Sequence, residues 1–354
     1  HYWLTTEGVY GVALGVSTSM VFMFVLFGSL LEAAGAGNYF IRTAFAGLGH
    51  LRGGPAKAAV VSSAMTGLVS GSSIANVVTT GTFTIPLMKK VGFTPEKAGA
   101  VEVASSTNGQ LTPPVMGAAA FLMVEYVGIS YVEVIKHAFL PAIISYIALV
   151  YIVHLEACKM NLQGLKKRRT KTLAQSLLSF VMTILFLIIM GGATYYGLGW
   201  IKTVGGDFTM TIVTVLLAVA YLALIYLATR VPELELTTEI TELPPLGATA
   251  QAGYYFLLPI VVLMWCLVVE RLSPSLSAFW ATILLLFIVV TQRPLKGFIR
   301  KSAAPEFAVK RGIADLINGL VSGARNMIGI GVATAAAGIV VGTVTLTGIG
   351  LVMT

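Results

Sequence analysis

Long apolar runs alternate with short charged loops along the chain. Residues 12–32, VALGVSTSMVFMFVLFGSLLE, are long enough to cross a bilayer as a helix. Residues 36–51 are shorter and mixed, which predicts an interfacial helix or connecting arm, so 1–52 reads as one transmembrane helix plus its arm. An apolar run then covers 58–69 and ends at a knot of small polar residues, SGSSIANVVTTG at 70–81. A helix of that length covers about 18 Å, roughly half of a hydrocarbon core. Residues 74–88 lead away again to Lys89 and Lys90. A half-span in and a half-span out predict a re-entrant helical hairpin over 56–88 with a polar turn.

Residues 95–127 are long enough to cross, but ASSTNGQLTPPVMG at 104–117 interrupts them. Pro113 and Pro114 lack amide hydrogens and push the preceding residue out of the helical region, and Gly109 loosens the chain further, so the pattern predicts a broken transmembrane helix. A span over 132–153 completes a half-domain at 53–154. A basic linker follows at 155–173, then four spans within 174–291, at about 174–192, 208–229, 253–271 and 276–291. The segment 292–325 is basic and ends in an amphipathic arm at 312–325, and 326–354 carries a final span at 326–346. The predicted fold class is all-α: a polytopic membrane protein with a re-entrant hairpin and a broken transmembrane helix.

Charge orients this scheme. A hairpin that opens to the cytoplasm puts Arg52, Lys57, Lys89, Lys90, Lys97 and the basic run KKRRTK at 166–171 inside, with Arg293, Lys296, Arg300, Lys301, Lys310 and Arg311. The loop 230–252 is acidic on the same side, and acidic residues count little in that rule. An internal echo, LGVST at 14–18 and IGVAT at 330–334, lies in two spans that run in opposite directions, which is the pattern of an inverted repeat. The repeat logic expects a second arm, hairpin and broken helix after Thr354, so the chain reads as a portion of a longer protein that would not transport by itself.

Composition agrees with the membrane class. Of 354 residues, 56% are hydrophobic and 11% charged, against roughly 25% charged in soluble domains. The net charge of +8 has its densest basic cluster between apolar segments, where membrane orientation explains it, and no basic water-exposed module suggests nucleic acid. Cys158, expected in a cytoplasmic loop, and Cys266, expected in a helix, read as unpaired and have no metal-site spacing.

The two polar clusters carry the candidate chemistry. Non-helical backbone at membrane depth survives only where protein buries it or it lines a cavity. Hydroxyls and an Asn carbonyl are neutral oxygen ligands suited to a monovalent cation, whereas calcium would want carboxylates, and neither cluster has one. The reading is a sodium site with an anionic substrate beside it. Each cluster alone could equally be helix-packing glue. A serine nucleophile at Ser72 or Ser73 lacks both the G-x-S-x-G elbow and a placed base. Glu102 either orients the break or lies near the cytoplasmic interface, and Glu32, Glu125 and His137 read as interfacial.

The stretch from Gly49 to Phe121, with NGQLTPPVMGAAAF at its end, closely resembles the large membrane subunit of tripartite ATP-independent periplasmic (TRAP) transporters, in the form of the fused permeases that work with TAXI-type binding proteins. The resemblance is strongest over 49–160. It implies sodium-coupled import of an organic anion across the bacterial inner membrane by an elevator-type, inverted-repeat transporter, with no enzymatic activity and no cofactor beyond the coupling ion. It also implies a periplasmic TAXI-type binding protein and a small membrane subunit, fused at the N-terminus in this type, as partners. Carried onto this chain, the family's hairpin turn and broken helix place sodium at Ser70, Gly71, Ser73, Asn76, Ser105, Ser106, Thr107 and Gly109. They place substrate at Ser72, Ser73, Asn76, Asn108, Gln110 and Thr112. The rival readings are a channel with a re-entrant selectivity loop, which would show flux uncoupled from sodium, and an intramembrane enzyme, for which no base is found.

Overall fold

The computed structural model describes residues 2–165, 185, 196–197, 206–231, 243–300, 305–349 and 352. The expected basic run 166–171, the span 174–192 and most of the acidic loop lie outside the described residues. Every regular element among the described residues is helical, with no strand. Among the described residues, five helices are long and apolar enough to cross a membrane: Val12–Ala33, Tyr131–Lys159, Thr211–Thr229, Pro274–Arg300 and Ala308–Thr347.

The first, α1 (Val12–Ala33), winds wide over Ser17–Val21. There the hydroxyls of Ser17, Thr18 and Ser19 donate to the carbonyls of Leu14 and Gly15 one turn back, an arrangement that bends helices. Its second half buries Phe24, Phe27, Leu30 and Leu31. A left-handed Gly35 then turns the chain into α2 (Ala36–Leu48).

Next come α3 (Gly54–Ser70) and α4 (Ser73–Lys90), packed side by side and joined by two residues. They are longer than the hydrophobic pattern predicted, 17 and 18 residues. The N-terminal gain comes from Pro55, pre-set for a first helical turn behind a left-handed Gly53. Each covers about 26 Å. Neither is among the five apolar helices, because hydroxyls and lysines interrupt them.

α5 (Pro95–Gly109) begins at an N-cap, the Thr94 hydroxyl accepting from Lys97 N. The chain leaves the helix after Gly109 and resumes as α6 (Ala118–Val127), then α7 (Tyr131–Lys159). Cys158 lies in the last turn of α7 rather than in a loop, because the helix runs past the predicted end of the span. α5 packs on both α3 and α4, and α7 closes over α3 and α5.

The remaining α-helices among the described residues are α8 (Thr209–Thr229), α9 (Leu246–Gln251), α10 (Leu258–Val268), α11 (Pro274–Arg300) and α12 (Pro305–Thr347). The predicted arm 312–325 and span 326–346 form one continuous helix of 43 residues. No proline follows Pro305 within it, and Gly319 and Gly323 serve contact rather than breakage. A Cβ on Gly319 would sit 2.8 Å from the Leu30 side chain, and one on Gly323 3.0 Å from Leu26, so α12 lies close against α1.

Candidate functional site

Two interruptions of helix meet. At the first, Gly71 ends α3 with φ near 58°, a left-handed conformation that glycine adopts without strain. Ser72 then starts α4 as its N-cap, its hydroxyl accepting from Ala75 N at 3.3 Å. At the second, turn bonds run from Gln110, Leu111 and Thr112 amides to Thr107, Asn108 and Gly109 carbonyls. The Pro113–Pro114 pair follows, and Gly117 N returns to Gln110 O at 2.8 Å. The break is supported from α7: Tyr131 donates to Pro114 O at 2.6 Å, and Tyr146 to Ser105 O at 3.4 Å.

Small residues bring the two interruptions into backbone contact. A Cβ on Gly71 would lie 2.4 Å from Met116 O, and one on Gly67 would lie 2.6 Å from Gly109 Cα. So the C-terminal ends of α3 and α5 and the N-terminal ends of α4 and α6 converge. The first pair presents carbonyls and the second pair amides.

A buried polar seam runs from this point between α3, α4 and α5. Asn76 donates to Ser63 O at 3.1 Å. The Ser63 and Ser106 hydroxyls are 3.1 Å apart. Ser106 donates to Glu102 Oε1 at 3.3 Å, and Thr80 and Thr84 donate to the two carboxylate oxygens of Glu102. Ser63, Asn76, Thr80, Thr84, Glu102 and Ser106 are all buried.

The sequence-predicted residues divide on this geometry. Ser70, Gly71, Ser72 and Ser73 lie at the turn, partly exposed. Gln110 Nε2 donates to Ser73 Oγ at 3.0 Å, which joins the two clusters directly. Asn76 and Gly109 face each other, a Cβ on Gly109 falling 3.1 Å from Asn76 Nδ2. Asn108 and Thr112 hold the break itself, the Thr112 hydroxyl 3.2 Å from Asn108 O and 3.3 Å from Tyr146 OH. Two predicted hydroxyls turn elsewhere. Thr107 is exposed and donates to Val103 O, while Ser105 donates to Val101 O and Glu102 O. With about 100° between successive residues, a helix that points Ser106 into the seam turns its neighbours away. Ser63 and Thr84 escaped the sequence reading, and Thr80, though part of the first polar cluster, was assigned no role. For Thr80 and Thr84 the signal was their spacing from Asn76 at i, i+4 and i+8, one face of a helix.

On the outer side of α4, the Thr79 hydroxyl donates to Glu32, at the end of α1. Adjacent residues of α4 thus bond carboxylates on opposite sides, Glu32 through Thr79 and Glu102 through Thr80.

Residues 4–211 match the family described as the tripartite ATP-independent periplasmic transporter, DctM component. The chain is 29% identical over 178 residues to the C4-dicarboxylate TRAP transporter large permease protein DctM of Vibrio cholerae, covering 49% of this chain and 38% of that protein. It is 34% identical over 95 residues to the ectoine TRAP transporter large permease protein TeaC of Halomonas elongata, covering 27% and 22% of the two chains. A third relative, protein y4mL of Sinorhizobium fredii, is 28% identical over 172 residues, covering 47% and 41%. The chain spans less than half the length of the relatives it matches. The match extends from the first apolar helix through the turn, the break and α7, and this chain belongs to the DctM family of TRAP transporter large permeases.

Proposed function

We propose that this chain is part of the permease of a sodium-coupled secondary transporter, which imports a small organic anion, a carboxylate, and is not an enzyme. The observation that carries the reading is the convergence of two helix interruptions, at Gly71–Ser72 and at Gln110–Gly117, inside an apolar helical protein. The carbonyl ends of α3 and α5, with the oxygens of Ser70, Ser73, Asn76 and Ser106, suit a monovalent cation. The amide ends of α4 and α6 beside them suit an anion, with Ser72, Ser73, Asn108, Gln110 and Thr112 at hand to orient it.

In this reading α3 and α4 form a re-entrant hairpin, α5 and α6 form a broken crossing, and the pair moves as one body past a scaffold in an elevator. A periplasmic binding protein of the TAXI type delivers the substrate, a small membrane subunit completes the permease, and the whole resides in the bacterial inner membrane. Two relatives are named for C4-dicarboxylate and for ectoine, so carboxylate-bearing solutes are the first substrates to try.

The test is uptake by the protein in proteoliposomes, with its binding protein, in the presence and absence of a sodium gradient. Uptake against a concentration gradient that requires inward sodium supports the reading. Flux that only equilibrates, with or without sodium, overturns it in favour of a channel.

A further inference from the structure

The seam holds a carboxylate that the ion and substrate assignments leave without a role. Glu102 is fully buried, and its oxygens accept from the hydroxyls of Thr80, Thr84 and Ser106. Space is built for it: a Cβ on Gly81 would lie 3.2 Å from Glu102 Cγ and 3.7 Å from Cδ, so the glycine in α4 makes the pocket the side chain occupies. The basic groups on the packed elements lie away from it: Lys89 and Lys90 are exposed at the far end of α4, and two others have partners of their own. Lys57 of α3 is 3.0 Å from His154 Nδ1, and Lys97 of α5 pairs with Glu156 of α7 at 2.8 Å. Among the described residues no cationic side chain forms an ion pair with Glu102.

Three neutral donors solvate a carboxylate but do not cancel its charge, and an uncompensated charge in a low-dielectric interior is costly. An ionisable side chain at membrane depth calls for a partner. The Ser106 hydroxyl lies between Glu102 and the Ser63–Asn76 end of the seam, next to the convergence of helix ends.

We propose that Glu102 is the fixed negative charge of the cation site: it offsets the coupling ion's charge through one layer of hydroxyls and makes occupancy by a cation, rather than by a neutral solute, the favourable state of the seam. The assignment rests on the sodium-coupled reading above. It also explains how neutral oxygens alone form the inner ligand set while a cation is still selected.

The experiment separates charge from shape. Glu102→Gln keeps the size and one of the two acceptor oxygens but removes the charge, while Glu102→Asp keeps the charge and both oxygens and shortens the reach. Sodium dependence of uptake, and substrate dependence at saturating sodium, are measured for wild type and both variants. Glu102→Gln is expected to raise the half-saturating sodium concentration about tenfold or more, with a much smaller change in substrate half-saturation, because a unit charge a few ångströms away acts on the ion first. Glu102→Asp is expected to recover most of that loss. Equal losses of sodium and substrate affinity in both variants would make Glu102 a packing element and overturn the proposal, as would an unchanged sodium curve in Glu102→Gln. If Glu102→Gln does not yield folded protein, Glu102→Asp decides: a residual shift confined to the sodium curve supports the charge, and a parallel loss of sodium and substrate affinity, or no shift in either, refutes it. Wild-type uptake indifferent to sodium sinks the coupling reading first, and this assignment with it.

Discussion

At the scale of single residues, the meeting point of the two interruptions depends on atoms that are absent as much as on those present. Gly71 combines a left-handed backbone with a Cβ position 2.4 Å from Met116 O. Gly71→Ala is therefore expected to destabilise the protein by about 1–3 kcal/mol, visible as a lower thermal midpoint in detergent. A midpoint equal to wild type would show that the turn can move away from the break. Asn76 and Ser106 lie on opposite sides of Ser63, and each presents an oxygen to the seam. Asn76→Ala and Ser106→Ala are each expected to weaken apparent sodium affinity severalfold in uptake assays, because each removes an oxygen that competes with the ion's hydration shell. Thr107→Ala, whose hydroxyl is spent on Val103 O at the exposed side of α5, should leave the sodium curve unchanged. A loss there equal to that of Ser106→Ala would mean that α5 turns about its axis during transport.

At the scale of elements, contacts place several loops at a common end of the molecule. Lys97 at the start of α5 pairs with Glu156 at the end of α7, and the Leu162 side chain lies against Gly92. Leu165 N donates to Gly49 O, beside the base of α3. The basic residues Arg52, Lys57, Lys89, Lys90, Lys97 and Lys159 therefore gather where α3 begins and α4 ends, and the orientation rule assigns that end to the cytoplasm. In a variant with Cys158 and Cys266 replaced by serine, single cysteines at Lys89 and Asn161 should resist an impermeant thiol reagent in whole cells, while one at Ile129 should react. Labelling of position 161 from outside would invert the topology. The Lys97–Glu156 pair itself is partly exposed, so Lys97→Met should change stability by less than about 1 kcal/mol in chemical unfolding. Its value lies in marking which ends are neighbours.

At the scale of the whole molecule, the five long apolar helices among the described residues and the 56% hydrophobic composition predict that the protein stays in the membrane pellet after alkaline carbonate extraction. Appearance in the supernatant would contradict the class. That class, the helical content and the two polar interruptions were readable from the sequence, because each is a local property: apolar run length, proline and glycine chemistry, and the contrast of SGSSIANVVTTG with its flanks all act within a few residues. The lengths of α3 and α4 were underestimated, since a helix continues through hydroxyls and lysines wherever neighbours satisfy them, and Lys57 is accommodated by His154 from α7, 97 residues away. α12 runs unbroken through the boundary read between arm and span, and its Gly319 and Gly323 are close contacts with Leu30 and Leu26. What only the tertiary structure decided is which polar residues share a space. Ser105, Ser106 and Thr107 are equivalent as a string, yet Ser106 alone of the three sends its hydroxyl to Ser63 and Glu102. Glu102, open in the sequence between an orienting and an interfacial role, became the acceptor for three hydroxyls once α4 lay against α5. Sequence periodicity defines a face on each helix, but the rotation and depth at which two faces meet come from backbone contacts such as Gly67 on Gly109, which join residues distant in the chain.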